Sequence, residues 1–221
     1  MKTRFGAFGK IAGMGDFLRL NLPGEFVRPW DDWLQASLLA ARQAVGQTWE
    51  GHYLSAPIWR FSVPGGVIGP QGVSGVLMAS VDRVGRQYPL TIGALCPPGK
   101  TALRHLANTP LFARLEDIAL ATLEDNATRG GLQDALAGLE LVAPSEMPDP
   151  GDIYAGPLAP ELMLAACTID TRRGEVGIWT AHVGDEHRMM LTSGLPDAGQ
   201  FAALFDLEAT LWRRGRLAQP A

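Results

Sequence analysis

Cysteine is almost absent from this chain: Cys96 and Cys167 are the only two in 221 residues. Each sits inside an apolar run, which reads as two buried thiols in a reducing compartment rather than as a disulfide framework. No apolar stretch reaches 18 residues, which excludes a membrane-spanning helix. The opening MKTRFGAFGKIAGMG holds no apolar block of the length a secretory signal needs. A cytoplasmic protein without direct membrane insertion is expected. An excess of cationic charge is also missing, since 19 Lys and Arg face 23 Asp and Glu for a formal charge of −4. Nothing electrostatic therefore points to nucleic acid. Histidine is scarce, at positions 52, 105, 182 and 187. Only His182 and His187 are close, flanking a hairpin turn, and no cysteine or carboxylate stands at ligand spacing beside them. They read as exposed strand-end residues, with no metal expected.

Catalytic signatures are missing too. Gly6 and Gly9-Lys10 are two residues apart and Ile11 follows, whereas a phosphate loop needs four intervening residues and a following Ser or Thr. Gly13-Met14-Gly15-Asp16 lacks the third glycine and the helix of a dinucleotide fingerprint. No serine lies in a G-x-S-x-G elbow and neither cysteine has a neighbouring histidine. The pairs Asp31-Asp32 and Glu124-Asp125 are adjacent on helices, where neighbouring side chains point in different directions. No catalytic residue, cofactor or metal is expected, and the chain reads as non-enzymatic.

What is present is apolar: 47% of residues, enough for a sizeable core in one domain spanning residues 1–221. Alternation predicts strands at Arg4 to Ile11 and Ala56 to Val63. Two apolar runs joined by a short polar loop with glycine predict neighbouring antiparallel strands at Val76 to Val81, apolar on both parities, and Leu90 to Leu95. Three-and-four spacing predicts a helix from Pro29 to Val45, with Trp30, Trp33 or Leu34, Ser37 or Leu38, Ala41 and Val45 on one face. A second starts at Thr109-Pro110 with threonine as cap and is stopped by Gly130-Gly131. Leu132 to Leu139 is a third, and Pro196 to Leu211 closes the chain. Five prolines between Ala143 and Pro160 predict a long irregular loop. Leu162 to Asp170, Glu175 to Val183 and His187 to Thr192 read as a closing three-strand meander. Together these give an α+β (mixed α/β) fold, a mostly antiparallel sheet of about six strands with helices on both faces.

The unusual chemistry is concentrated in SVDRVGRQYPL, Ser80 to Leu90, a polar loop with Gly85 between two apolar strands. Lys10, Asp16, Arg60, Asp82, Arg83 and Arg86 lie between aromatic and apolar runs. Buried charge must be paired, so the set is either a fold-holding ion-pair network or a recognition patch, with a phosphate contact as the sharper form of the latter. Arg60 lies opposite Trp59 on its strand and could reach Asp82 if the two strands are neighbours. A small-ligand or nucleotide-binding domain or enzyme built on Asp82, Arg83 and Arg86 is the alternative function.

Three separated motifs in order carry a resemblance: Gly6-Ala7-Phe8-Gly9-Lys10 with Gly15-Asp16-Phe17, then Trp59-Arg60-Phe61, then Ser80-Val81-Asp82-Arg83-Val84-Gly85-Arg86-Gln87-Tyr88-Pro89-Leu90. The chain resembles the TagF or ImpM family of type VI secretion-associated proteins, over roughly residues 4 to 96. It departs from the family pattern at Ala12 and Ala79, where proline is common. The resemblance implies a cytoplasmic, non-enzymatic accessory protein that regulates the secretion system after translation. In known cases such proteins repress assembly or firing through a forkhead-associated scaffold. It also implies that Gly9, Lys10, Gly15, Asp16, Phe17, Trp59, Arg60, Phe61, Ser80, Asp82, Arg83, Gly85, Arg86 and Pro89 form a structural network or interaction site. The partner-binding face is then the proline-rich loop Ala143 to Pro160 or the shoulders of the Asp82 to Arg86 loop.

Overall fold

The computed structural model describes residues 4–142 and 159–212. Its frame is a seven-stranded sheet in which every neighbouring pair is antiparallel. In chain order the strands are β1 (Gly6–Gly9), β2 (Leu18–Leu20), β3 (Trp59–Val63), β4 (Gly72–Met78), β5 (Leu90–Cys96), β6 (Gly177–Val183) and β7 (Glu186–Thr192). Across the sheet they run β2-β1-β5-β4-β3-β6-β7. The α+β reading holds, with one strand more than the six expected.

Side chains alternate between two packed faces, which is why the central strands are apolar on both parities. Trp59, Phe61 and Val63 of β3, Val73 and Leu77 of β4 and Trp179 of β6 face one core. Helix α1 (Gly24–Val45), α2 (Trp49–Ser55) and α7 (Ala198–Phe205) cover it. Val76, Met78, Leu90, Ile92 and Ala94 face the other way, under α4 (Thr109–Ala121) and α5 (Arg129–Leu136). A smaller cluster joins α3 (Thr101–Ala107) and α6 (Pro160–Arg173) to Ile178 of β6. Helices on both faces were the expectation, and the apolar stripe of α1 is Phe26, Val27, Trp30, Leu34, Leu38 and Ala41.

Several boundaries differ from the sequence reading. Helix α1 begins before Pro29, which lies inside it. The amides of Phe26 and Val27 close the first turn on the Pro23 carbonyl at 3.1 and 3.0 Å. Burial of both side chains outweighs the one hydrogen bond that Pro29 cannot donate. The cap position of α4 belongs to Asn108 rather than Thr109, and its side chain makes no cap bond because it is spent on the Arg104 carbonyl and on Val142, donating to the carbonyl and accepting from the amide of the latter. Gly130 and Gly131 open α5 instead of stopping α4, with Thr128 Oγ1 accepting from the Gly131 amide at 3.1 Å.

The largest correction is Leu162 to Asp170, which is helix α6 and not a strand. A short apolar run does not distinguish the two by periodicity. Pro160 in the first turn, the helix-forming Leu, Met and Ala, and the turn-spaced Met163, Ala166 and Ile169 on the α3 side decide for helix. The meander is thus a hairpin, β6–β7, with β6 pairing back onto β3. Of the proline-rich loop, residues 143–158 lie outside the described residues.

Candidate functional site

The loop between β4 and β5 is built around one carboxylate. Val81 bridges Gln87, the Tyr88 amide donates to the Ser80 carbonyl at 3.0 Å, and the Asp82 amide donates to the Arg86 carbonyl at 3.1 Å. The Gly85 amide returns to the Asp82 carbonyl at 2.8 Å, and the turn needs the left-handed φ of 82° that Gly85 supplies. Inside it, Asp82 Oδ1 accepts the amides of Val84 at 3.1 Å and Arg86 at 2.9 Å. Aspartate is suited to such a turn because its short side chain reaches amides two and four residues on.

The other oxygen joins this loop to the N-terminal motif. Asp82 Oδ2 accepts from Lys10 Nζ at 2.9 Å and from Arg86 Nε at 2.6 Å, with no solvent exposure of the carboxylate. Lys10 Nζ also donates to the Arg86 carbonyl at 3.3 Å, and Arg86 Nη2 to the Gly15 carbonyl. Two further bonds sew the segments together: Ser80 Oγ to the Lys10 carbonyl at 2.8 Å, and the Arg83 amide to the Met14 carbonyl at 3.0 Å. The Tyr53 hydroxyl of α2 donates to the Ser80 carbonyl at 2.8 Å and accepts from its amide at 3.0 Å. Behind Lys10 stands an aromatic group. Its ammonium lies 5.3 Å from the Phe17 ring centre, and Phe17 and Tyr88 meet edge to face at 4.7 Å. The Tyr88 hydroxyl donates to Asp31 on α1.

Protonation follows from these contacts. Burial pushes the Asp82 carboxyl up, but the hydrogen bonds from Lys10, Arg86 and Val84 outweigh it and hold the group well below the usual carboxylate range. Burial pushes the Tyr53 and Tyr88 hydroxyls up, Tyr88 further because its hydroxyl donates a hydrogen bond to the Asp31 carboxylate, which disfavours a second negative charge beside it. All three groups are fixed donors or acceptors at neutral pH.

The structure therefore brings together Gly9, Lys10, Gly15, Phe17, Ser80, Asp82, Gly85, Arg86 and Pro89. It leaves Trp59, Arg60 and Phe61 elsewhere. Trp59 donates its indole N–H to the Leu204 carbonyl at 2.7 Å, and Phe61 packs at 5.2 Å on Trp30 and on Trp179. Arg60 does not reach Asp82: it faces α4 and grips Glu116 with two bonds, Nε to Oε1 at 2.6 Å and Nη2 to Oε2 at 2.7 Å. Its strand neighbours β4, but Arg60 pairs across to Val76, in mid-strand and on the face covered by α4, well before Asp82, which lies beyond the end of β4. Asp16 and Arg83 are exposed.

Sequence reasoning missed Glu116, Tyr53, Asp31 and His105. Glu116 and Asp31 sit on predicted helices beside stripe residues, a signal that narrows the choice without naming a partner. His105 is buried on α3, between Ser62 Oγ and Thr180 Oγ1, each 3.0 Å from one ring nitrogen. Burial, with the nearby Arg60 charge, lowers its pKa to about 3. The unfolded chain takes up a proton as pH falls through about 6.5, and the folded chain does not until about 3. Stability is therefore complete above that window and declines within it, by about 1.4 kcal/mol per pH unit at most. Urea unfolding between pH 6.5 and 4.5 is expected to show this decline, and His105→Gln to flatten it.

Chemically, the Asp82 cluster is self-satisfied: both carboxylate oxygens are committed and the ion stays charged. That geometry suits holding backbone in place and leaves no lone pair aimed at a reactant. Cavities of about 430, 360 and 60 Å³ are lined elsewhere, at the Phe5–Asn21 edge with α5, between α4 and α5, and beside Phe26 and Ile68. Among the described residues no three His, Cys, Asp or Glu side chains are grouped to hold a metal.

A family model described as the TagF N-terminal domain, type VI secretion system-associated, matches residues 6–139. Among solved structures, that of PA0076 from Pseudomonas aeruginosa PAO1, a crystal structure at 2.05 Å resolution, is similar at 32% identity. The match covers 98% of this chain and 99% of that one, with a TM-score of 0.74. No curated protein matches the chain.

Proposed function

The chain belongs to the TagF family of type VI secretion system-associated proteins, and on that premise we propose that it is a non-enzymatic regulator of the system. In this reading it acts in the cytoplasm after translation, as a repressor of assembly or firing, by binding another component such as the forkhead-associated scaffold. The observation that supports the reading is Asp82. The most chemically distinctive residue of the family-like motif is consumed by Lys10, Arg86 and two backbone amides, so the motif organises surface instead of presenting a reactive group. An enzyme or nucleotide site on Asp82, Arg83 and Arg86 would need those groups around an opening. No helix among the described residues is long and apolar enough to cross a membrane.

The test is a deletion strain of the native organism together with affinity capture by the tagged chain. Increased export of the system's own secreted proteins, and co-purification of the forkhead-associated protein, is the expected result. Unchanged export with no co-purified secretion component would overturn the reading.

A further inference from the structure

The Asp82 network fixes its loop from behind, and the residues it pushes outward are of a different kind. Val84 at the tip is 68% exposed and Phe17 beside the loop is 50% exposed, although both belong to residue types usually buried. Arg83 has its amide pinned to Met14, yet its guanidinium has no hydrogen-bond or ion-pair partner among the described residues. Arg86 gives Nε and Nη2 to Asp82 and Gly15 but leaves its side chain 61% exposed. Arg42 of α1, exposed, joins the same rim by donating to Gln87 Oε1 at 3.2 Å.

Charge on this rim is opposite to that of the chain. The protein carries a net −4, while here Arg83, Arg86 and Arg42 stand against the exposed Asp16 and the half-buried Asp31, which accepts from the Tyr88 hydroxyl beside Phe17. Asp82 itself is neutralised by Lys10 underneath. Guanidiniums of this kind match carboxylates bidentately, and exposed valine and phenylalanine supply the apolar contact that an ion pair alone lacks at a surface. A tip already locked by internal hydrogen bonds loses little conformational freedom on binding, which raises affinity without added contacts.

We propose that the Arg83–Val84 tip, with Phe17 and Arg86 at its sides, is the docking face for an acidic segment of a partner protein that carries an apolar side chain. The carboxylates of that segment meet Arg83 and the free edge of Arg86, and its apolar residue covers Val84 and Phe17. This rests on the reading above, in which the protein works by binding another secretion component, and it selects the loop shoulders as the contact.

The experiment measures binding of the purified full chain to the forkhead-associated protein of the same system. It compares the wild type, an Arg83→Glu/Val84→Asp double variant, and Arg114→Glu on the exposed face of α4 as a charge-reversal control. The tip variant is expected to bind about tenfold or more weakly, with an unchanged melting temperature and weakening of wild-type binding by salt. The control is expected to bind like the wild type. Tip-variant binding within about twofold of wild type would overturn the docking face while leaving the functional reading intact. No binding by the wild type would overturn the functional reading and the docking face with it.

Discussion

Gly9→Ala is expected to destabilise the protein by roughly 3 kcal/mol or more, read as a fall in the urea midpoint of unfolding. Two independent costs add. Gly9 has a φ of 134°, a region that side-chain-bearing residues rarely adopt. A β-carbon there would also land on the carbonyl oxygen of Pro89, which is backbone and cannot swing away. Gly9 ends β1 beside Lys10, so any shift that relieves the contact moves the ammonium off Asp82. A variant unfolding at the wild-type urea concentration would show that this close approach carries no constraint.

Removing the charge at Asp82 is expected to have an effect of similar size. Asp82→Asn keeps an acceptor for the amides of Val84 and Arg86 but leaves Lys10, buried and facing a neutral group. A drop in melting temperature of about 10 °C or more is expected. Asp82→Ala, which also strands both amides, falls further. Lys10→Met falls less, since Asp82 then keeps Arg86 and the amides. The pH dependence has a definite sign. The folded carboxyl is held below its unfolded value near 3.9, so its contribution is complete above that value and is lost as pH falls below it. Asp82→Asn is expected to lack this acid-induced loss, while the decline at higher pH due to His105 persists in it. A parallel pH profile in wild type and variant would count against the assignment.

Much of this was legible in the chain itself, and the failures have specific causes. The β4–β5 pair is readable because two apolar runs flank a polar loop with glycine, and the pairing follows from adjacency alone. That Asp82 needs partners is readable too, since a charge between two buried strands must be matched. Which cation does so is not readable. Arg60 on β3 and Lys10 just past the end of β1 both lie near β4 or β5, and only the sheet order, with β1 beside β5, puts Lys10 within reach while Arg60 turns to Glu116. Alternation tells which face Arg60 occupies, but the helix covering that face enters through tertiary packing. Helix α6 escaped for a different reason: Leu162 to Cys167 suits strand or helix, and the packing of Met163 and Ala166 against α3 settles it. His105 looked like one of four scattered histidines because its burial depends on where α3 lands, and nothing local announces that it bridges Ser62 and Thr180.

These particulars give the loop two separable layers: an inner one of Asp82, Lys10 and Arg86 that holds shape, and an outer one of Arg83 and Val84 that is free to touch something else. Thermal unfolding of Asp82→Asn beside the Arg83→Glu/Val84→Asp double variant addresses that division most directly. The account predicts that Asp82→Asn melts well below the wild type while the tip variant melts with it. Asp82→Asn melting together with the wild type would contradict it.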